Sequence, residues 1–356
     1  MKYFDLTSQE IIANPYPTYA KMRAAGPVVR GKVPFSGDLY IISRYDDIVS
    51  ALTNPSLSNK MVWAPIKNKR LNDLMKPRMM EAIEQSMFVK DGNDHRRLRR
   101  LVHLAFTPKQ VASMGSIIEK NVETLLDSFD RQPTVDLLSQ YSSKITINVI
   151  CDLIGVHKNK RPVFEKETHN FLREPQQGLM LMLRQLRGGL RVFRIIRQVI
   201  RDKKVNFGDD FVSELIKAES EDGKLTEKEV QAMLFLLLVA GFQTTSHLIS
   251  TGIYTLLQHP NQLELLKSDP SLIDCAVDEL LRYTSTVGHG AFRKIIENTE
   301  INGIPINKAN QVVLLLSAAN RDESIFEQPE IFNIQRSNNK HIAFGGGPHY
   351  LSLIHI

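Results

Sequence analysis

His95 and Arg99 stand four residues apart in the stretch DGNDHRRLRRLVHLAF, so a helix would bring both cations to one face, where they could jointly grip an anionic group. Arg96, Arg97 and Arg100 extend the positive surface, and taken alone the run equally fits an ordinary exposed basic helix. In DELLR, Glu279 and Arg282 are three apart and again share a helical face; isolated, such a pair can be a solvated ion pair contributing roughly 0.2–0.5 kcal/mol. A third stretch, AGFQTT at 240–245, sets Gly241 inside the most apolar segment of the chain. Glycine inside a helix costs about 1 kcal/mol relative to alanine, so the position calls either for a flat group approaching the backbone or for tight packing of another helix. Thr244 can return its hydroxyl to the carbonyl four residues earlier and distort the helix there. The fourth stretch, HIAFGGGPHY at 341–350, crowds three glycines and a proline into one loop. With Phe326, Phe332 and Phe344 around it, this reads as an ordered loop pinned to a core.

The elements that must position these side chains are mostly helical by pattern. Residues 28–30 and 39–42 read as a strand pair around GKVPFSGD, followed by a helix from Tyr45 to just before NPSLS. Helical periodicity runs through 95–106, 108–129, 137–154 and 164–201, with Gly188-Gly189 expected to break the last into two helices. Thr226 and Glu229 make a capping box, so a long apolar helix is expected to start there, after a turn at Asp222-Gly223. A helix over 271–283 precedes AFRKII, TEINGIPI with an Asn302-Gly303 hairpin turn, and QVVLLLSAAN, which together read as a small antiparallel sheet. The remainder, 320–356, reads as irregular. The expected fold class is mainly α with a small antiparallel β region, in a single domain over 1–350 whose β-rich parts are about 27–43 and 291–317.

Composition narrows the classes. The chain has 356 residues, 42% hydrophobic and 24% charged, which is ordinary for a soluble globular protein. A net charge of +6 is mildly basic and falls short of a nucleic-acid-binding footprint; HRRLRR has no interleaved aromatics. Two cysteines, Cys151 and Cys275, both in apolar helical contexts, exclude a disulfide framework and fit a reducing cytoplasm. The first residues show no apolar signal-type segment, and the strictly apolar run 233–242 is ten residues, too short to span a bilayer, so a buried core helix is expected.

Individually weak, the four stretches are specific in their order. They resemble the cytochrome P450 family, in particular its soluble bacterial members, from NPYPTYAKMR at Asn14 to Tyr350. AGFQTT is similar to the family's AGx(D/E)TT helix motif, ELLR to its ExxR, ANRDESIF with QPEIF to its meander, and FGGGPHY to the start of its haem-binding loop FGxGxHxC. The resemblance implies a P450 fold and a haem-thiolate monooxygenase with haem b as cofactor, inserting one oxygen atom of O2 into a small apolar organic substrate. It implies that His95, Arg99, Arg293 and His349 bind the haem propionates, with Phe344, Gly345 and Gly347 shaping the haem loop. Glu279 and Arg282 become a structural pair beneath that loop. Ala240, Gly241, Gln243 and Thr244 face the oxygen site, with Thr244 helping to deliver protons. Trp63, Val239, Phe242 and Val287 line the substrate pocket. A ferredoxin or flavodoxin with its reductase supplies electrons, and the basic helix around Arg96, Arg97 and Arg100 is its expected docking surface. A cytoplasmic monomer, without membrane or nucleic-acid partners, completes the expectation.

Three positions depart from the family pattern. Residue 351, where the ligating cysteine belongs, is Leu, which has no lone pair to donate, and a thiolate is what favours O–O cleavage. The final LSLIHI back-translates to CTG TCT CTT ATA CAC ATC, which resembles a sequencing-library transposase adapter, so 351–356 are expected to be a read-through tail on a chain truncated before its ligand. The alternative is a catalytically dead helical fragment or pseudogene product. Gln243 replaces an acidic residue, and an amide can hydrogen-bond water but cannot ionise. Ile331 stands where an arginine is expected to complete a network with Glu279 and Arg282.

Overall fold

Val312, Val313 and Leu314 are all buried, so the strand that contains them is covered on both faces and must lie inside a sheet rather than at its edge. The computed structural model, which describes residues 1–33, 37–60, 78–105, 108–130, 132–173, 179–208, 210–220, 225–285 and 290–350, places it there. The strands are β1 (Tyr3–Asp5), β2 (Val29–Lys32), β3 (Asp38–Ile42), β4 (Leu57–Ser58), β5 (Ala291–Ile295), β6 (Thr299–Ile301), β7 (Ile304–Ile306) and β8 (Gln311–Leu314). Six of them form one mixed sheet in the order β1-β2-β3-β8-β5-β4. β8 pairs parallel with β3 through Tyr40↔Val312 and antiparallel with β5 through Arg293↔Val312. The expected local antiparallel sheet over 291–317 is therefore corrected: β5 and β8 join the N-terminal strands, and residues 316–319 turn into a short helix. Only the β6–β7 hairpin stands as its own sheet. Its turn is as expected, with Asn302 at φ 45° and Gly303 at φ 79°, the two left-handed residues of a tight hairpin.

The helices are α1 (Gln9–Ala13), α2 (Tyr16–Ala25), α3 (Tyr45–Thr53), α4 (Arg78–Gln85), α5 (Gly92–Ala105), α6 (Pro108–Asp127), α7 (Ser143–Ile154), α8 (Arg161–Leu172), α9 (Leu179–Val205), α10 (Phe211–Ser220), α11 (Glu227–Gln258), α12 (Pro260–Ser268), α13 (Ile273–Thr284) and α14 (Leu316–Ala319). A π-helical turn, Leu137–Ser142, leads into α7. Contacts divide the described chain into two compact units, residues 1–59 with 247–350 and residues 60–246, the cut falling within α11. The first unit holds the mixed sheet, α1–α3 and α12–α14. The second holds α4–α10 and the N-terminal half of α11, whose Val230, Met233, Leu234, Phe235, Leu238 and Phe242 are buried in its core. That half is a core helix, as its composition suggested, although among the described residues α11 is also long and apolar enough to cross a membrane.

The capping box forms as read. Thr226 N donates to Glu229 Oε2 at 2.7 Å, and Glu229 N donates back to Thr226 Oγ1 at 3.2 Å. The turn expected at Asp222-Gly223 lies outside the described residues. The break expected at Gly188-Gly189 is absent, because α9 runs unbroken through both. The reason is packing against α8: a Cβ on Gly188 would stand 2.9 Å from the Glu167 carbonyl oxygen and 3.2 Å from Phe171 N. Glycine here lets two helix backbones touch. We predict that Gly188→Ala lowers stability by about 1–3 kcal/mol through forced separation of the helices, although alanine is the better helix former; chemical denaturation midpoints check this.

Candidate active site

The second unit supplies two of the expected groups. On α5, His95 is 4% exposed and Arg99 is half-buried, on one helical face as their spacing required. Burial first, and the Arg99 charge second, hold the His95 imidazole below its ordinary pKa, with Asp91 opposing. An anion beside the pair would offset both effects. The rest of the basic run divides. Arg97 forms an ion pair with Glu229, tying α5 to the capped start of α11, and Arg96 bonds the Asn93 side chain. Arg97 is thus engaged in the fold, which reduces the expected docking surface to Arg96 and Arg100, both exposed.

On α11, the Thr244 hydroxyl donates to the Ala240 carbonyl at 2.5 Å, the back-bond expected from its position. Val239, Ala240, Gly241, Gln243 and Thr244 are all half-buried, while Phe242 is buried and meets His169 edge-on at 5.0 Å between ring centroids. Among the described residues, a Cβ on Gly241 would meet only Ile150 Cδ1, at an ordinary 3.6 Å, so tight packing of another described helix does not explain this glycine. Gly188 is the contrasting case in the same unit.

The first unit holds the glycine loop and the ion network. Gly345 and Gly347 take φ of 74° and 65°, and a Cβ on Gly347 would lie 2.6 Å from the Leu52 carbonyl oxygen. The loop is thereby strapped to α3, ending in a single 3-10 turn, Gly347–His349. Phe344 meets His341 edge-on, with ring centroids 5.6 Å apart. Arg293 lies half-buried on β5 and donates to the Phe292 carbonyl at 2.9 Å. Trp63, Val287 and Leu351, assigned above to the pocket and the ligand position, lie outside the described residues.

Glu279 and Arg282 are fully buried and bidentate, Arg282 Nε to Oε2 at 2.7 Å and Nη2 to Oε1 at 2.8 Å. The solvated surface pair is excluded. Arg282 also donates to the carbonyls of Asn320, Pro329 and Ile331 at 2.9, 2.8 and 3.2 Å. The missing third cation is present after all. Arg336 Nε reaches both Glu279 oxygens at 3.2 and 3.1 Å, and its Nη2 donates to the Ile331 carbonyl at 2.8 Å. The network doubted because of Ile331 is complete: Ile331 contributes its backbone while its side chain is 52% exposed. Asn333 N and Asn339 Nδ2 add donors to the same carboxylate at 2.9 and 3.1 Å. These three residues escaped the sequence reading; the available signal was an arginine two positions past the buried Ile334.

The cysteines separate clearly. Cys151 is buried in α7 and burial pushes its thiol up to about 12, whereas Cys275 on α13 is exposed, contrary to its apolar neighbourhood in sequence. Neither belongs to the 341–350 loop: Cys151 lies in the second unit's core and Cys275 faces solvent on α13.

Comparison with known proteins gives consistent findings. The family model "Cytochrome P450" matches residues 52–350. The chain is 36% identical over 346 residues to the polyketide biosynthesis cytochrome P450 PksS of Bacillus subtilis, covering 96% of this chain and 84% of that protein. Among solved structures it is similar to P450BioI in complex with a hexadec-9Z-enoic acid ligated acyl carrier protein, with TM-score 0.85, 30% identity, and coverage of 96% of this chain and 87% of that one. It is also similar to the myxobacterial CYP267B1 in complex with myristic acid, with TM-score 0.84, 31% identity, and coverage of 97% and 85%.

Two predictions follow from these geometries. Arg336→Leu leaves the buried Glu279 short of a cation and is expected to destabilise the fold by about 3–5 kcal/mol, read by urea denaturation, whereas replacing exposed Ile331 by Ala changes it by less than about 0.5 kcal/mol. His95, His169 and His341 all have pKa values lowered mainly by burial from the ordinary 6.5, so the unfolded chain binds more protons than the native one just below that pH. Stability is therefore complete above pH 6.5 and is lost as pH falls through the window beneath it; His95→Gln should flatten that loss in denaturation midpoints measured across pH.

Proposed function

Because the chain belongs to the cytochrome P450 family, whose members are haem-thiolate monooxygenases of apolar substrates, we propose that residues 1–350 form one catalytic domain that oxygenates a long acyl chain. α11 runs unbroken through both compact units. The cofactor of the family is haem b, and when bound it supplies the oxygen activation. The residues of this chain fit its periphery. Within the second unit, His95 and Arg99 share one face of α5 and suit a propionate; by family resemblance Arg293 and His349 of the first unit are assigned the same task. The chain as given would supply no thiolate at the loop's end, since the sequence has Leu at 351 and its cysteines are on α7 and α13.

The observation that carries the reading is Gly241. With room for a Cβ and no backbone of the described residues pressed against it, its smallness suits a flat group approaching α11. Beside it Thr244 holds its proton toward the Ala240 carbonyl, which orients the hydroxyl oxygen as an acceptor for an incoming donor. Gln243 can hold a water by hydrogen bonds but cannot relay a proton by ionising. Val239 and Phe242 give the neighbouring turn its apolar character. The acyl class is drawn from the two similar structures, one in complex with an acyl chain on a carrier protein and the other with myristic acid.

Bacterial P450s of this type take electrons from ferredoxin-type partners. We assign Arg96 and Arg100 to that contact and place the protein in the cytoplasm as a monomer. The test is haem titration of the chain and of Leu351→Cys. The variant is expected to give a thiolate-type spectrum in its reduced carbon monoxide complex and a spin-state shift with palmitic acid, and the unaltered chain no thiolate signature. A folded Leu351→Cys protein that takes up no haem overturns the reading. In the same background Gly241→Ala is expected to stabilise the fold by up to about 1 kcal/mol while weakening haem uptake and product formation several-fold, a split that a merely structural glycine would not produce.

A further inference from the structure

Between Leu179 and Arg201, α9 carries six arginines and no acidic residue. One side of the helix is committed to the core, where Val192, Phe193, Ile196, Val199 and Ile200 are buried. On the exposed side the arginines differ in their engagement. Arg184 donates to Asn170 Oδ1 at 2.9 Å, and Arg191 is paired with the buried Glu167. Arg187, Arg194 and Arg201 are exposed or nearly so and make no ion pair among the described residues. They are spaced by seven, so they line one stripe, about 10 Å apart and about 21 Å end to end at 1.5 Å rise per residue. At the N-terminal end of the same helix, Met180 and Met182 are 82% and 63% exposed, and Leu183 and Leu186 are exposed beside them. Four large apolar side chains left to water within seven residues mark a surface for a partner.

We propose that this face of α9 docks an acidic, helical acyl carrier protein. Arg187, Arg194 and Arg201 would face a row of carboxylates along one carrier helix, and Met180, Met182, Leu183 and Leu186 would cover apolar residues at its end. The proposal rests on the acyl-substrate reading above and adds the surface and its chemistry. Charge complementarity selects the partner: a straight ridge of unpaired guanidiniums matches a linear array of carboxylates. An anionic bilayer is the poorer match, because a helix lying in an interface needs its apolar side chains along the same length as its cations, and here the exposed ones cluster at Met180–Leu186 and at Val205, with none between Arg187 and Arg201. The redox partner has its own basic residues, Arg96 and Arg100 on α5.

The test measures binding of hexadecanoyl-loaded acyl carrier protein to the full chain by fluorescence anisotropy, at low salt and at about 1 M salt, where the Debye length is about 3 Å. We expect binding at low salt that fades at high salt. Arg187→Glu with Arg194→Glu should weaken it at least about tenfold with unchanged circular dichroism and melting, and Arg187→Lys with Arg194→Lys should retain most of it. Met182→Ser with Leu183→Ser should weaken it without altering the salt dependence. No binding at low salt, or equal affinity after charge reversal, overturns the proposal. So does a reversal-sensitive affinity for vesicles of phosphatidylglycerol and phosphatidylcholine, or for a ferredoxin, that the carrier protein does not share. Free palmitic acid separates the two readings. If it binds while the carrier does not, docking fails and the acyl reading stands. If unloaded carrier binds while palmitic acid does not, docking stands and the acyl reading fails.

Discussion

A carboxylate with no exposure to water governs the first unit. Arg282, Arg336, Asn333 and Asn339 surround Glu279 with donors, and a buried charge left short of such partners would cost several kcal/mol. The geometry that satisfies it also orders the irregular segment. Arg282 spends its remaining donors on the carbonyls of Asn320, Pro329 and Ile331, so a stretch with little regular structure is held by side chains in place of a ladder. Asn320 Oδ1 then accepts from Ile342 N at 2.8 Å, carrying the order to the start of the glycine loop. The loop is three hydrogen bonds from the buried carboxylate. Its precision is inherited from an electrostatic requirement elsewhere.

α11 answers a different constraint with one element. Its first half is apolar on nearly every side because it fills the core of the second unit, and its start is capped reciprocally by Thr226 and Glu229. Glu229 also receives Arg97 from α5, so the same residue that begins the core helix anchors the helix bearing His95 and Arg99. Further along, packing gives way to Gly241 and Thr244, where the helix presents small size and a hydroxyl. The core residues and the Gly241–Thr244 segment are thus consecutive turns of one helix, which sets their spacing without requiring loops to do so.

The basic residues illustrate why charge in sequence is ambiguous. Arg96, Arg97, Arg99 and Arg100 are adjacent, yet one is a structural partner of Glu229, one sits half-buried beside His95, and two face solvent. On α9, Arg191 neutralises Glu167, while Arg187 and Arg194 a turn away make no ion pair among the described residues. Only the identity of what lies across from each side chain separates these roles, and that partner is typically tens of residues distant.

The sequence by itself determined whatever depends on neighbours in the chain. The Thr226–Glu229 cap, the Asn302-Gly303 turn, the helical segments and the sharing of a face by His95 and Arg99, or by Glu279 and Arg282, follow from propensity and a fixed helical period. The order of the four motifs also sufficed to point to the family. Tertiary structure alone decided the rest. It placed β8 between β3 and β5, because a strand buried on both faces must find partners from distant segments. It kept α9 continuous through Gly188, because that glycine answers the backbone of α8 and not its own helix. It drew the third cation from Arg336 in place of position 331, because the carboxylate selects whichever guanidinium the chain can bring within hydrogen-bonding distance in space.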